Sequence, residues 1–105
     1  MKPAPFEYHA PTSLAEATAL LARLDNAKVI AGGQSLGPMM NFRYVIADHI
    51  VDLAGVTEIA GISLAGDTLR IGAMTRQREL EFSEVVAQRC PLLRAALTHV
   101  GHRQT

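Results

Sequence analysis

The chain has 105 residues, of which 49% are hydrophobic and 19% charged, with ten basic side chains balanced by ten acidic ones. That aliphatic content excludes a disordered chain, and the absent basic excess argues against a nucleic-acid partner. The lone Cys90 excludes an internal disulfide framework and a Cys-rich metal site, and no apolar run reaches the length of a membrane span.

A single cysteine suits a reducing compartment, and the start Met1-Lys2-Pro3-Ala4-Pro5-Phe6 lacks the apolar run of a secretory signal, so the cytoplasm is expected. With no Trp, two Tyr and three Phe, the core must be built mainly from Leu, Ile, Val, Ala and Met.

Phe6-Glu7-Tyr8-His9 alternates bulky and polar groups, as a short strand does, and Pro11 closes it. Ser13-Leu14-Ala15-Glu16 has the form of a capping box, and Leu14, Ala17, Leu21 and Leu24 then recur at helical spacing. The spacing predicts a helix over 14–24. Lys28-Val29-Ile30-Ala31 is a short apolar run that stops at Gly32-Gly33, the pattern of a buried strand entering a tight loop.

Pro38 to Phe42 predicts a brief helix, and His49 to Leu53 another strand. Ile62-Ser63-Leu64 and Leu69-Arg70-Ile71 both alternate across the turn-forming Ala65-Gly66-Asp67-Thr68, which predicts a hairpin. Thr75 is expected to cap a helix running toward Leu80, and Ser83 a second one. Pro91 opens a last helix through Leu92, Leu93, Ala96, Leu97 and Val100, ending near Gly101. The order describes an α/β (α+β) chain: a small mixed sheet with flanking helices.

The segment with chemical meaning is Val29-Ile30-Ala31-Gly32-Gly33-Gln34-Ser35-Leu36-Gly37-Pro38. Successive amides in a turn of this kind can point into one concavity and bind an anion, and glycines let the backbone come close to a phosphate. Gln34 and Ser35 can add hydrogen bonds, and the helix start that follows favours negative charge. Taken alone, a Gly-Gly pair is as well explained by a plain turn, and the segment is neither G-x-G-x-x-G nor a P-loop.

The longer string weighs against the plain turn. Ala31-Gly32-Gly33-Gln34-Ser35-Leu36, followed by Pro38-Met39-Met40-Asn41-Phe42-Arg43, resembles the first flavin loop of FAD-binding subunits in molybdenum hydroxylases of the xanthine dehydrogenase and carbon monoxide dehydrogenase type. Phe6 to Ala17 is similar to that family's opening strand and helix, and Leu69-Arg70-Ile71-Gly72-Ala73-Met74-Thr75 to its I-G-A-x-T element. Cys90 to Gln104 resembles the helix before the second flavin loop, so the likeness spans essentially the whole chain.

The resemblance implies the N-terminal lobe of a vanillyl-alcohol-oxidase-type FAD-binding domain over 1–105, with the second glycine loop, T-I-G-G-[SN], and the second lobe falling after Thr105. It implies that Ala31, Gly32, Gly33, Gln34, Ser35 and Leu36 hold the FAD pyrophosphate. Val29 and Ile30 would border the cofactor, Ala73 would lie beside the flavin, and Val100, Gly101 and Thr105 would line the site. The implied activity is electron passage between FAD and the iron–sulfur centres of a partner subunit, connected to a molybdopterin-binding large subunit. No residue would be catalytic in the acid–base sense, because the flavin carries the redox chemistry.

The remaining features have plainer explanations. His99 and His102 are three apart, but Gly101 interrupts their helix, so surface or hydrogen-bonded roles are expected for these and for His9 and His49. Cys90 is expected to be a small buried apolar group, and Met39 and Met40 to fill the core beneath the loop. Arg76, Arg78, Arg89, Arg94 and Arg103 alternate with Glu79, Glu81 and Glu84, as on a solvated helical surface. Two other classes stay open on the residues alone: a non-enzymatic α/β lobe serving as an interaction module, and an unrelated small α/β domain with a purely structural Gly-Gly turn.

Overall fold

The computed structural model describes residues 1–101, which fall into two compact units that divide at Glu58 and Ile59. His102, Arg103 and Thr105, singled out in the sequence, lie outside the described residues.

The first unit is a parallel sheet with helices. Strand β1 (Glu7–His9) is followed by helix α1 (Leu14–Arg23), strand β2 (Ala27–Ile30), helix α2 (Leu36–Asn41) and strand β3 (His49–Asp52). The strand order is β1-β3-β2, with both outer strands parallel to β3. β3 is therefore central, and its consecutive residues Ile50 and Val51 are 2% and 0% exposed. Neighbouring residues of a strand point to opposite faces, so both faces of β3 are covered, as parallel sheets require. On one face Ile50 packs with Met40 and Ala47, joined by Ile30, Leu36 and Val45. α1 packs against β3 as well, with Ala17 buried.

Local chemistry fixes the helix ends. Ser13 caps α1 by accepting from the Glu16 amide at 3.1 Å, and the Glu16 carboxylate accepts from the Thr12 amide at 3.0 Å. The reciprocal arm of the capping box thus reaches one residue further back than the usual pattern. α2 begins two residues before the expected Pro38. It closes with paired bonds, Arg43 N–H to Met40 C=O and Tyr44 N–H to Met39 C=O, both 2.9 Å. That is a Schellman closure, with Arg43 at φ 59° in the place usually taken by glycine.

The second unit opens on a hairpin of β4 (Ile62–Ala65) and β5 (Thr68–Ile71), paired antiparallel from Ile62↔Ile71 to Ala65↔Thr68. Gly66, at φ 60°, supplies the positive φ that a two-residue hairpin turn demands. The parallel and antiparallel pairings thus fall in two separate small sheets, one in each unit. Three short helices follow: α3 (Gln77–Glu81), α4 (Glu84–Arg89) and α5 (Pro91–Leu97).

Ser83 caps α4 as expected, accepting from the Val86 amide at 3.3 Å. Thr75 does not cap α3, whose N-cap is Arg76 and lacks a side-chain bond. Its hydroxyl is committed elsewhere, accepting from the Gly61 amide at 2.9 Å and donating to the Gly61 carbonyl at 3.0 Å. α5 ends at Leu97, three residues before Val100, and single-turn bonds carry the chain on to Gly101 at φ 69°.

Candidate functional site

The segment from Ala31 to Leu36 leaves β2 at Ile30, beside the end of β3, where the Leu53 amide donates to the Ile30 carbonyl at 3.0 Å. Parallel strands commonly present their binding loops at this carboxyl end. Ala31, Gly32, Gln34 and Ser35 are exposed, whereas Gly33 and Leu36 are half-buried. Leu36 and Ile30 anchor the loop from below through the Met40–Ala47–Ile50 cluster. Of the two methionines, Met40 is buried and Met39 is exposed, so only Met40 fills the core.

The two glycines differ in what they demand. Gly33 has φ 74°, and a Cβ there would meet Ile30 Cδ1 at 3.3 Å. Its glycine is needed for the fold. Gly32 has no positive φ, and a Cβ there would meet nothing within 4 Å. The fold does not explain that glycine, whereas a phosphate approaching the main chain would.

The electrostatics point the same way. Residues 29–42 include no charged side chain, with Lys28 before and Arg43 after, so the loop carries no carboxylate of its own to repel an anion. Among the described residues, the amides of Gly32, Gly33, Gln34, Ser35 and Leu36 donate to no other backbone group outside the regular elements. The Ser35 hydroxyl makes no capping bond either. Unpaired amides beside one another form an anion-binding nest. α2 has six residues, so its dipole adds little, and the loop amides supply most of the attraction.

Of the bordering residues, Val29 is exposed on β2, while Ile30 turns toward the core. At the end of β3, Asp52 accepts from the Tyr8 hydroxyl at 2.5 Å and from the Ala54 amide at 2.9 Å. The Asp52 hydrogen bond holds the Tyr8 phenol above its ordinary pKa of 10.0, with burial and the carboxylate charge adding to the effect. Sequence reading missed this pair, because 44 residues separate its members and only the parallel register joins them.

Ala73, Val100 and Gly101 belong to the second unit, whereas the residue 31–36 loop belongs to the first. Ala73 is exposed in a turn that the Gly72 amide ties to the Gly61 carbonyl at 2.8 Å, and the Met74 amide to that of Ile59 at 2.9 Å. A Cβ on Gly72 would strike the Ile59 carbonyl oxygen and lie 2.7 Å from its carbon. The glycine of the Ile71-Gly72-Ala73 turn is therefore a close-approach residue. Val100 and Gly101 are exposed beyond α5. Cys90, expected to be buried, is partly exposed between α4 and α5.

Comparison with known proteins decides the family. The family described as the FAD binding domain in molybdopterin dehydrogenase matches residues 4–105. The chain belongs to this family. Within the family, it is 47% identical over 105 residues to the carbon monoxide dehydrogenase medium chain of Hydrogenophaga pseudoflava, covering 99% of this chain and 37% of that protein. It is 40% identical to caffeine dehydrogenase subunit beta of Pseudomonas sp. strain CBB1, covering 99% of this chain and 36% of that protein.

The fold of this FAD-binding family is equally close. The solved structure of carbon monoxide dehydrogenase from Hydrogenophaga pseudoflava superposes with a TM-score of 0.96 at 45% identity, over 99% of this chain and 37% of that one. Quinoline 2-oxidoreductase from Pseudomonas putida 86 gives 0.95 at 40% identity, over 99% and 36%. The chain thus spans a little over a third of the length of the relatives it matches.

Proposed function

We propose that Ala31 to Leu36 receive the pyrophosphate of FAD, within a flavoprotein subunit that passes electrons between its flavin and the iron–sulfur centres of a partner. The observation that carries this reading is the unpaired run of loop amides just past β2, over a Gly32 that the fold itself does not require. The family match and the absence of charge across residues 29–42 support it.

In this reading the amides of Gly32, Gly33, Gln34 and Ser35 donate to phosphate oxygens, and the Ser35 hydroxyl adds a further donor. Ile30 and Leu36, held by the core, keep the loop from collapsing when the anion is absent. Val29 borders the cofactor from β2, and Ala73, Val100 and Gly101 are the second unit's own candidate cofactor residues. Bound FAD supplies the one- and two-electron redox chemistry, and these residues position it.

The chain serves as the N-terminal part of an FAD-binding domain whose remaining lobe carries a second glycine loop. Exposed apolar side chains such as Phe82 and Leu92, 62% and 80% exposed, support such an extension. The partners are an iron–sulfur subunit and a molybdopterin-binding large subunit, on which a small substrate is oxidised. Relatives named as a medium chain and as a subunit beta support a multi-subunit setting. The lone cysteine supports a cytoplasmic one, and no helix among the described residues is long and apolar enough to cross a membrane.

Visible absorbance of the intact subunit tests the reading. Stoichiometric oxidised flavin, released as FAD on denaturation, is the expected result. A colourless subunit that takes up no added FAD, yet still assembles with redox partners, would instead favour a non-enzymatic interaction lobe.

A further inference from the structure

A second cluster lies on the first unit, and it involves none of the loop residues. Glu7 and His9 are two apart on β1 and so share one face of the strand. In the parallel register Glu7 stands opposite His49, the first residue of β3. Three potential ligand atoms converge as a result. His9 Nε2 lies 3.2 Å from His49 Nδ1, His49 Nδ1 lies 3.4 Å from Glu7 Oε2, and His9 Nε2 lies 3.9 Å from the same oxygen.

These separations have a specific meaning. A tetrahedral ion with bonds of about 2.0–2.1 Å holds its ligand atoms about 3.3–3.4 Å apart. The edges of the Glu7–His9–His49 triangle already approach that length, so metal entry needs only tenths of an ångström of adjustment. The two imidazoles are 21% exposed and the Glu7 side chain 72%, leaving the carboxylate side open to solvent. Two nitrogens and one carboxylate oxygen form a donor set of the borderline kind that favours zinc-class ions over calcium or magnesium.

We propose that Glu7, His9 and His49 bind one divalent transition-metal ion of the zinc class, with a water in the open fourth position. Without metal, the two imidazoles share a proton along the His9–His49 contact, one ring donating and the other accepting. The ion replaces that proton bridge, and the displaced proton moves to the outer nitrogen of its own ring. Because β1 contributes two ligands and β3 the third, the ion clips a three-residue edge strand to the centre of the sheet.

The test is calorimetric titration of the full chain with Zn(II), paired with Co(II) absorption and with melting at increasing Zn(II). Expected are one ion per chain, the intense visible bands of tetrahedral Co(II), and a melting point raised by about 5 °C or more once free metal exceeds Kd about tenfold. His9→Gln and His49→Gln should each weaken Zn(II) binding by at least about tenfold, the loss seen even for partners outside the coordination shell. His99→Ala should not. Glu7→Gln, at an exposed position that the fold tolerates, should weaken binding if either histidine variant fails to fold. Zn(II) affinity that survives Glu7→Gln and both histidine substitutions, or a wild-type chain giving no binding heat and no Co(II) bands, would overturn the proposal.

Discussion

Gly33 stands directly over Ile30: a Cβ on the glycine would fall 3.3 Å from the Ile30 Cδ1 atom, while the Ile30 side chain packs into the core below. The loop proposed to bind the anion is thus seated on the hydrophobic cluster of the first unit. Its shape is set by packing before any ligand arrives.

Gly33→Ala should therefore destabilise the protein. The left-handed backbone at φ 74° costs a residue with a Cβ about 1–2 kcal/mol, and the Ile30 contact adds to that. A urea melt with an unchanged slope and a lower midpoint is the expected signature.

Gly72→Ala should cost more. Its Cβ collides with the backbone of Ile59 and Ala60, which cannot rotate away as a side chain can. Overpacking of this kind costs about 1–3 kcal/mol or more, read as a fall in melting temperature of the second unit's signals.

Two serines at helix starts should behave in opposite ways. Ser83→Ala removes a capping bond to Val86 and should cost about 1 kcal/mol. Ser35 makes no capping bond, so Ser35→Ala should leave chemical stability within about 0.5 kcal/mol. In the proposed role it should still weaken FAD binding, measured by flavin fluorescence on titration.

Tyr8 should titrate above 10.0, because ionising it breaks the hydrogen bond to Asp52 and sets two negative charges together. A raised pKa means that the bond's contribution is fully present below pH 10 and is lost as pH rises through the folded value. Tyrosinate absorbance should show a step raised above the ordinary phenol range. Tyr8→Phe should remove that raised step, and Asp52→Asn should bring it down.

Much of the fold was legible because short-range chemistry dictates it. Ser13 and Ser83 cap their helices, Gly66 makes the hairpin turn, and β2 stops at the glycines, though as an outer strand with Lys28 and Val29 exposed rather than the buried strand expected. Thr75 misled because its hydroxyl found the Gly61 backbone 14 residues away, a partner that helix-capping rules do not anticipate. The loop proposed to hold the phosphates could be singled out from the sequence because all of its residues are contiguous. Tyr8–Asp52 and Glu7–His9–His49 were not, because each depends on β1 lying beside β3, and strand order is a tertiary property. The different demands on Gly32 and Gly33 also needed coordinates, since φ and free space decide them.

Gly32 offers the most direct measurement. In the intact subunit, Gly32→Val meets open space and should leave the urea midpoint nearly unchanged. It should lower FAD affinity by at least about tenfold, or 1.4 kcal/mol, because the side chain fills the approach to the loop amides. Undiminished flavin content in a stable Gly32→Val subunit would contradict the account, since the phosphates would then be held somewhere else.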